Sequence, residues 1–121
     1  MALRAPPQFL LQSRIGPLIV AFVFRVLMVL ATNRQLIPGL RITSWFRTRA
    51  ENEAVDGATF SQHLLGLALD FDYVDDPASS SLLQTLQSAL EAGDFGFLDA
   101  DDEHVHVQLL PQELLLELLS T

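Results

Sequence analysis

The apolar segment from Ile15 to Ala31, IGPLIVAFVFRVLMVLA, constrains the fold most, because its side chains need burial in a protein core or in a membrane. Arg25 divides it into stretches well below the roughly 18 residues of a spanning helix. A signal peptide would need a small-residue cleavage site, and only Ala31 offers one. Apolar residues lie almost all round a helix that Pro17 can begin, which predicts burial in the core rather than one exposed face. Membrane association and a targeting signal are the alternatives.

The size of the chain predicts one domain. Its 121 residues, half of them apolar, are enough for one core and too few for two, so distant polar residues can meet around that core. No cysteine is present, which excludes disulfides, thiolate nucleophiles and cysteine-ligated zinc. Any metal site must therefore be built from His, Asp and Glu.

The charges are divided sharply along the chain. All seven basic residues are arginines between Arg4 and Arg49, and all fifteen acidic residues lie between Glu51 and Glu117, for a net charge of −8. The acidic half argues against nucleic-acid binding, which depends on cationic contacts to phosphate. The arginine-bearing half could attract a carboxylate, an acidic polymer or a phospholipid surface, or the two halves could attract each other within the domain.

Periodicity predicts an α+β domain with helices packed on a small antiparallel sheet. Residues Leu65 to Val74 alternate so that Asp70 and Asp72 share one face of a strand. The other expected elements are a strand at 41–44, a helix within 47–58, a helix within 76–95, strands at 95–98 and 105–109 that form a hairpin, and a helix from residue 111. The layout is then an N-terminal helical region (1–40), a core (41–110) and a C-terminal helix (111–121). The last two helices should bury Leu82, Leu83, Leu86, Leu90, Leu114, Leu115, Leu118 and Leu119.

The histidines offer one candidate metal site. A catalytic zinc needs three protein ligands, and His63, Asp70 and either His104 or His106 would supply them. Glu103 could act as a base there if the chain bends, because residues three apart in a straight strand face opposite sides. The alternative is that these histidines are structural and that the acidic cluster DADDE is a solvated turn.

Three motifs in order carry a resemblance to a known family. SQHLLGLALD (Ser61 to Asp70) fits S-x-H-x-x-G-x-A-x-D, and EHVHVQL (Glu103 to Leu109) fits an acidic residue, two residues and a histidine before a strand. RITSWFRTRAENEAVDGATFSQH (Arg41 to His63) is similar to the family segment upstream of the first motif. The chain resembles the peptidoglycan-cleaving zinc peptidases, which include D-alanyl-D-alanine carboxypeptidases, D-Ala-D-Ala dipeptidases and phage endolysins. Their hedgehog/DD-peptidase fold, with zinc bound on the sheet, is then expected here.

The resemblance also implies roles for individual residues. Zn²⁺ would be bound by His63, Asp70 and His106. Glu103 would be the general base and acid, and Arg47 would polarise the substrate carbonyl or stabilise its oxyanion while a metal-activated water attacks. Ser61 and His104 would contact the substrate. Ser61 more plausibly orients its loop or a ligand than acts as a nucleophile.

Two departures from the family pattern affect specificity rather than the zinc site. Trp45-Phe46 replaces the usual Gly-Tyr, and Asp56-Gly57 replaces Gly-Gly. We expect a monomer that acts on peptidoglycan peptides of the cell wall, as a D,D-carboxypeptidase or an endolysin-type endopeptidase, without nucleic-acid or membrane partners. The alternative is a non-catalytic binding or assembly module that retains the fold and the zinc site.

Overall fold

The computed structural model describes residues 3–57, 61–74, 79–101 and 103–119. Along the chain these form α1 (Gln8–Leu11), α2 (Gly16–Thr32), β1 (Leu40–Ser44), α3 (Arg49–Ala54), β2 (Ala68–Tyr73), α4 (Ser79–Glu91), β3 (Phe97–Ala100), β4 (Val105–Gln108) and α5 (Gln112–Leu119). Short 3₁₀ turns occur at Arg34–Leu36 and Gln62–Leu65. The predicted α+β class is confirmed, and the start of the helix expected within 76–95 lies partly outside the described residues.

The strands form one antiparallel sheet in the order β1-β2-β4-β3. Asp70 of β2 lies opposite His106 of β4, which in turn lies opposite Asp99 of β3. On the other side of Asp70 lies Ser44 of β1, after a register shift that follows Ile42. Directly opposed residues of antiparallel strands point to the same face, so a row of polar side chains crosses one face of the sheet.

The other face of the sheet carries the hydrophobic core. Leu69 and Phe71 are buried there opposite Val107 and Val105, as the alternation predicted for β2 requires. Helix α4 packs across β2, β3 and β4, and α2 packs against α4. The two helices add their own buried side chains to this core: Ile19, Phe22, Val26, Leu83, Leu86 and Leu90.

Helix α5 follows the prediction at one of its leucines. Leu115 is fully buried, as predicted. Leu114 was expected to join the core, but it is about half exposed. Consecutive residues of a helix point about 100° apart, so a helix that packs through one side does not bury both. The side chains of Leu118 and Leu119 lie outside the described residues.

The predicted burial of α2 on all sides is wrong. Its buried side is a stripe of residues about one turn apart: Gly16, Ile19, Phe22 and Val26. The opposite side is equally apolar but exposed, with exposed fractions of 49–64% at Val20, Phe24, Leu27 and Met28. The reason is geometric, because a small domain places one layer of helices on this face of its sheet, and that layer buries only the sides that face inward.

Arg25 interrupts the apolar sequence of α2 without being buried. Its side chain is exposed, and its Nη1 atom donates to the carbonyl oxygen of Asp94 at 3.1 Å. Among the described residues, no helix combines the length and the hydropathy that a transmembrane span requires.

Two phenylalanines of α2 test this one-sided packing. Phe22 is fully buried and meets Phe95 edge-on at a centroid distance of 5.9 Å, whereas Phe24 is 62% exposed. We expect Phe22→Ala to lower the free energy of unfolding by about 3–5 kcal/mol, because it leaves a cavity. Phe24→Ala should change it by less than about 0.5 kcal/mol. Chemical denaturation followed by circular dichroism measures both values, and equal losses would contradict the packing described.

Candidate metal centre

Three segments bring ligand-type side chains together on the polar face of the sheet. Asp70 comes from β2, His106 from β4, and His63 from the 3₁₀ turn that precedes β2. One ligand atom from each of the three residues lies within 4.8 Å of the other two. The His63 and His106 rings are 5.2 Å apart between centroids. The structure therefore assembles the three residues for which the sequence predicted a zinc site.

The turn that carries His63 is fixed at both ends. The Ser61 hydroxyl accepts a hydrogen bond from the His63 backbone N–H at 3.1 Å and caps the turn. Gly66 ends the turn with φ of 73°, and a Cβ atom at this position would lie 2.5 Å from Pro6 Cγ. The indole N–H of Trp45 donates to the Gly66 carbonyl oxygen at 2.9 Å. The direction of the buried His63 side chain is thus set by local backbone contacts.

The protonation of the His63 ring follows from its neighbour. His63 Nδ1 lies 2.7 Å from the Trp45 carbonyl oxygen, and because a carbonyl only accepts, Nδ1 carries the proton. The neutral ring then has its lone pair on Nε2, which is buried without a hydrogen-bond partner. This atom lies 3.2 Å from Asp70 Oδ2, which is a second acceptor. Two acceptors so close to each other indicate a place for a cation.

Gln108 determines which nitrogen of the His106 ring donates to it. Gln108 Nε2 donates to the Leu110 carbonyl oxygen at 3.1 Å, so Gln108 Oε1 is the atom that lies 2.9 Å from His106 Nε2. His106 Nε2 must therefore carry a proton that it donates to this oxygen. The remaining nitrogen, His106 Nδ1, lies 2.7 Å from Asp70 Oδ1. A proton occupies that contact when no metal does.

The pKa values of the pair agree with this description. Burial alone would raise the pKa of Asp70, but the hydrogen bond with His106 and the contact with His63 outweigh it and lower that pKa below its usual range. Burial alone would lower the pKa of His106, yet its bonds with Asp70 and Gln108 raise it. Asp70 is therefore a carboxylate, and the proton on His106 is the one that a metal ion would displace.

The donor set fits zinc. His63 Nε2, His106 Nδ1 and a carboxylate oxygen of Asp70 point at a common region, and two imidazoles with one carboxylate are an established ligand combination of catalytic zinc. Each histidine donates its other N–H to an oxygen atom, of Trp45 or of Gln108, as metal-bound histidines almost always do.

Arg47 is held beside these ligands by three contacts. Its Nη2 atom lies 3.0 Å from Asp70 Oδ2, Nε donates to Ser44 Oγ at 3.0 Å, and Nη1 donates to Asn52 Oδ1 at 3.3 Å. The Arg47 backbone N–H also donates to the His63 carbonyl oxygen at 3.0 Å. The guanidinium group therefore lies beside the three ligand-type residues, and the catalytic role that the resemblance implies for it stays a prediction.

The centre lies in an open cleft of about 600 Å³. Besides the three ligand-type residues and Arg47, the cleft is lined by Asp56, Gly57, Ser61, Asp99, His104, Gln108 and Gln112. Both residues expected to contact the substrate, Ser61 and His104, are therefore at the cleft. The exposed His104 ring approaches Asp101 Oδ1 at 3.1 Å.

Glu103 is placed near the cleft but is not one of its described lining residues. Asp101 Oδ1 accepts hydrogen bonds from the backbone N–H groups of Glu103 and His104, at 2.7 and 2.9 Å, so the chain turns before β4 begins at Val105. The alternation of a straight strand therefore does not determine the direction of Glu103. Its side chain is exposed, and its catalytic role stays a prediction.

Comparison with known proteins agrees with this geometry. The sequence profile of the family described as Peptidase M15 matches residues 23–108. The chain belongs to the M15 peptidase family. The match extends from α2 to the end of β4 and so includes every residue of the centre described above. No curated protein and no solved structure gave a significant match.

Membership in the M15 family makes this chain a zinc-dependent peptidase. Sequence reasoning had nevertheless missed part of the centre of this M15 peptidase, namely Gln108, Asn52 and the Trp45 carbonyl oxygen. Gln108 had a usable signal, because it lies two residues after His106 in a strand and so points to the same face. A backbone carbonyl has no such signal, since any residue type supplies one.

Metal analysis of the M15 peptidase tests the ligand set. We expect about one zinc per chain, and loss of that zinc in His63→Ala, Asp70→Ala and His106→Ala, because each substitution removes one of three ligands. His104→Ala is the matched control and should retain the metal, since His104 is exposed and outside the ligand set. Elemental analysis after dialysis gives the stoichiometry. Zinc retained in all three ligand variants would show that the metal binds elsewhere.

Gln108 provides a sharper test of how the ligands are oriented. Gln108→Leu should weaken zinc binding about 10–100-fold, because His106 loses the acceptor that fixes its tautomer. Gln108→Glu keeps an oxygen acceptor and should retain most of the affinity. Gln87→Leu is the control, since Gln87 pairs with Glu91 on the exposed face of α4. Competition with a chromogenic chelator measures these affinities, and equal binding by Gln108→Leu and the control would contradict the role of Gln108.

Proposed function

We propose that this M15 peptidase hydrolyses peptide bonds in the stem or cross-link peptides of peptidoglycan. The observation that carries the proposal is the convergence of His63 Nε2, Asp70 and His106 Nδ1 in a cleft open to solvent. Three protein ligands leave one coordination position for water, as in catalytic rather than structural zinc sites. The resemblance of Ser61–Asp70 and Glu103–Leu109 to peptidoglycan-cleaving enzymes supports the substrate class.

The three ligand-type residues would hold zinc at one position in the cleft. Zinc held by them would act as a Lewis acid, which polarises a carbonyl and lowers the pKa of a water. Trp45 and Gln108 hold both imidazoles in the tautomers that present a lone pair, and Asp70 contributes one negative charge. The half-buried position of these residues limits solvent screening of their charges, because buried groups are screened less by salt and water.

Arg47 is suited to stabilise the negative charge that develops on the scissile carbonyl oxygen. A guanidinium group has five N–H donors, and the contacts with Ser44, Asn52 and Asp70 use one each on Nε, Nη1 and Nη2. One N–H on each of Nη1 and Nη2 is then left for the substrate. Since the group is already held in place, little reorganisation accompanies the development of charge.

Glu103 is assigned the proton transfers. As a base it would take a proton from the attacking water, and as an acid it would deliver that proton to the departing amine. Its position supports this assignment, because the next residue, His104, lines the cleft. The side chain of Glu103 is exposed, so it can change rotamer towards the cleft without repacking the core.

The cleft lining favours cleavage within a peptide over removal of its last residue. A carboxypeptidase needs a cation for the terminal carboxylate of its substrate. Arg47 is the one arginine among the described lining residues, and it already pairs with Asp70 at 3.0 Å. Asp56 and Asp99 also line the cleft and would instead attract a side-chain amine, such as that of a diamino acid in a stem peptide.

Digestion of purified peptidoglycan peptides tests the catalytic assignment. Glu103→Gln should lower turnover about 10²–10⁴-fold while the zinc content stays unchanged, because the substitution removes the base but no ligand. Glu53→Gln is the control, since Glu53 is an exposed glutamate of α3 outside the cleft lining. Mass spectrometry of the products reports the rate and the bond cut in one measurement.

The reaction products distinguish an endopeptidase from a carboxypeptidase. Internal fragments support endopeptidase cleavage, whereas release of a single terminal residue identifies a carboxypeptidase and overturns the finer assignment. Wild-type turnover by Glu103→Gln would remove Glu103 from the mechanism. A zinc-loaded wild-type protein that binds the peptides without cutting them would identify a non-catalytic module.

A further inference from the structure

Gln62, the residue directly before His63, has a buried amide side chain. It belongs to the first motif, SQHLLGLALD, and only 1% of its surface is exposed. Burial of an amide is unfavourable unless its polar atoms are hydrogen-bonded, whereas an apolar side chain of the same shape carries no such penalty. The hydrogen bonds of this amide therefore indicate what the residue does.

Both polar atoms of the Gln62 amide bind the backbone of one residue, Leu110. Gln62 Nε2 donates to the Leu110 carbonyl oxygen at 2.6 Å, and the Leu110 N–H donates to Gln62 Oε1 at 3.1 Å. Because a backbone N–H only donates and a carbonyl only accepts, the two bonds allow a single orientation of the amide. Gln62 thereby ties the turn that carries His63 to the chain just after β4.

The Leu110 carbonyl oxygen also binds Gln108. It accepts from Gln108 Nε2 at 3.1 Å, while Gln108 Oε1 faces His106 Nε2 at 2.9 Å. A carbonyl oxygen can accept two hydrogen bonds, and here the two donors are side-chain amides. One oxygen atom thus connects the residue before His63 with the residue that orients the His106 ring.

Backbone pairing brings Leu110 next to the turn. The Gln62 carbonyl oxygen accepts from the Leu67 N–H at 2.9 Å, and the Leu67 carbonyl oxygen accepts from the Leu109 N–H at 3.0 Å. The pairing of the two segments therefore continues past the end of β4. Pro111 follows, and the residue before a proline favours extended backbone. This pairing positions the chain, and the two bonds from Gln62 then set the direction of the Leu110 carbonyl.

We propose that Gln62 is a positioning residue for the metal centre and acts through the Leu110 carbonyl oxygen. Held by Gln62, this oxygen accepts from Gln108 Nε2, so that Gln108 Oε1 stays turned towards His106. Without Gln62 the carbonyl can turn away, and Gln108 can present its N–H groups to the ring instead. His106 then lacks the acceptor that keeps a proton on Nε2 and leaves Nδ1 for a metal ion.

The zinc affinities of a double-mutant cycle test the proposal. Gln62→Met keeps an unbranched side chain of similar length without the amide, and should weaken zinc binding about 10-fold, as loss of an outer hydrogen-bond partner does. In the Gln108→Leu background the same substitution should have little further effect, because Gln62 acts through Gln108. Competition with a chromogenic chelator gives the affinities of the wild type, both single variants and the double variant.

Tyr73→Phe is the matched control. The hydroxyl of the buried Tyr73 also donates to a backbone carbonyl oxygen, that of Leu36, within the core. Its removal should lower the stability of the metal-free protein but leave the zinc affinity unchanged, which separates positioning from a general loss of stability. Circular dichroism shows that each variant is folded. If Gln62→Met does not fold, Gln62→Asn takes its place in the cycle with the same expected result, since its shorter amide does not reach both Leu110 groups.

Three results of the cycle would overturn the proposal. These are wild-type zinc affinity in the folded Gln62 variant, additive losses in the double variant, and an equal loss in Tyr73→Phe. Additive losses would show that Gln62 acts by another route, such as the backbone of its neighbour His63. The inference rests on the proposed ligand set, and zinc retained in all three ligand variants would overturn both. No measurement involves a peptide, so failure of the proposed peptidase activity is distinguished from failure of this inference.

Discussion

The register of β2 against β4 is the constraint on which the rest of the structure depends. It places Asp70 opposite His106 on one face of the sheet and Leu69 opposite Val107 on the other. Successive strand residues alternate between faces, so a slip by one residue would turn the ligands towards the helices and the core residues towards water. The metal centre and the hydrophobic core are therefore specified by the same pairing, and neither can be correct without the other.

Two uncharged hydrogen-bond acceptors then determine which nitrogen of each histidine faces Asp70. The Trp45 carbonyl oxygen and the Gln108 side chain each accept a ring N–H, which leaves His63 Nε2 and His106 Nδ1 facing the Asp70 carboxylate. A cation entering the centre finds its ligands already oriented, which reduces the entropy lost on binding.

The sequence predicted the features that depend on one local rule, such as strand alternation or helical spacing. It did not predict the features that depend on which other elements pack against a helix. Two-residue alternation predicted the face of Asp70, and helical spacing predicted the burial of Leu86 and Leu90. The same hydropathy in α2 suggested burial all round, yet Phe22 and Phe24 have opposite environments, because composition does not reveal how many layers cover a helix. The tautomer of His63 depends on a backbone oxygen, that of Trp45, which residue identity does not encode. The tautomer of His106 depends on the Gln108 side chain, which strand alternation places on the same face.

The two faces of the sheet also separate the cleft from the core helices. Leu69 and Phe71 point towards α2, whereas Asp70 and His106 point away from it, so the cleft and helix α2 lie on opposite sides of the sheet. No residue of α2 or α4 is among the described lining residues of the cleft. A substrate can therefore enter the cleft without displacing the helices that cover the core.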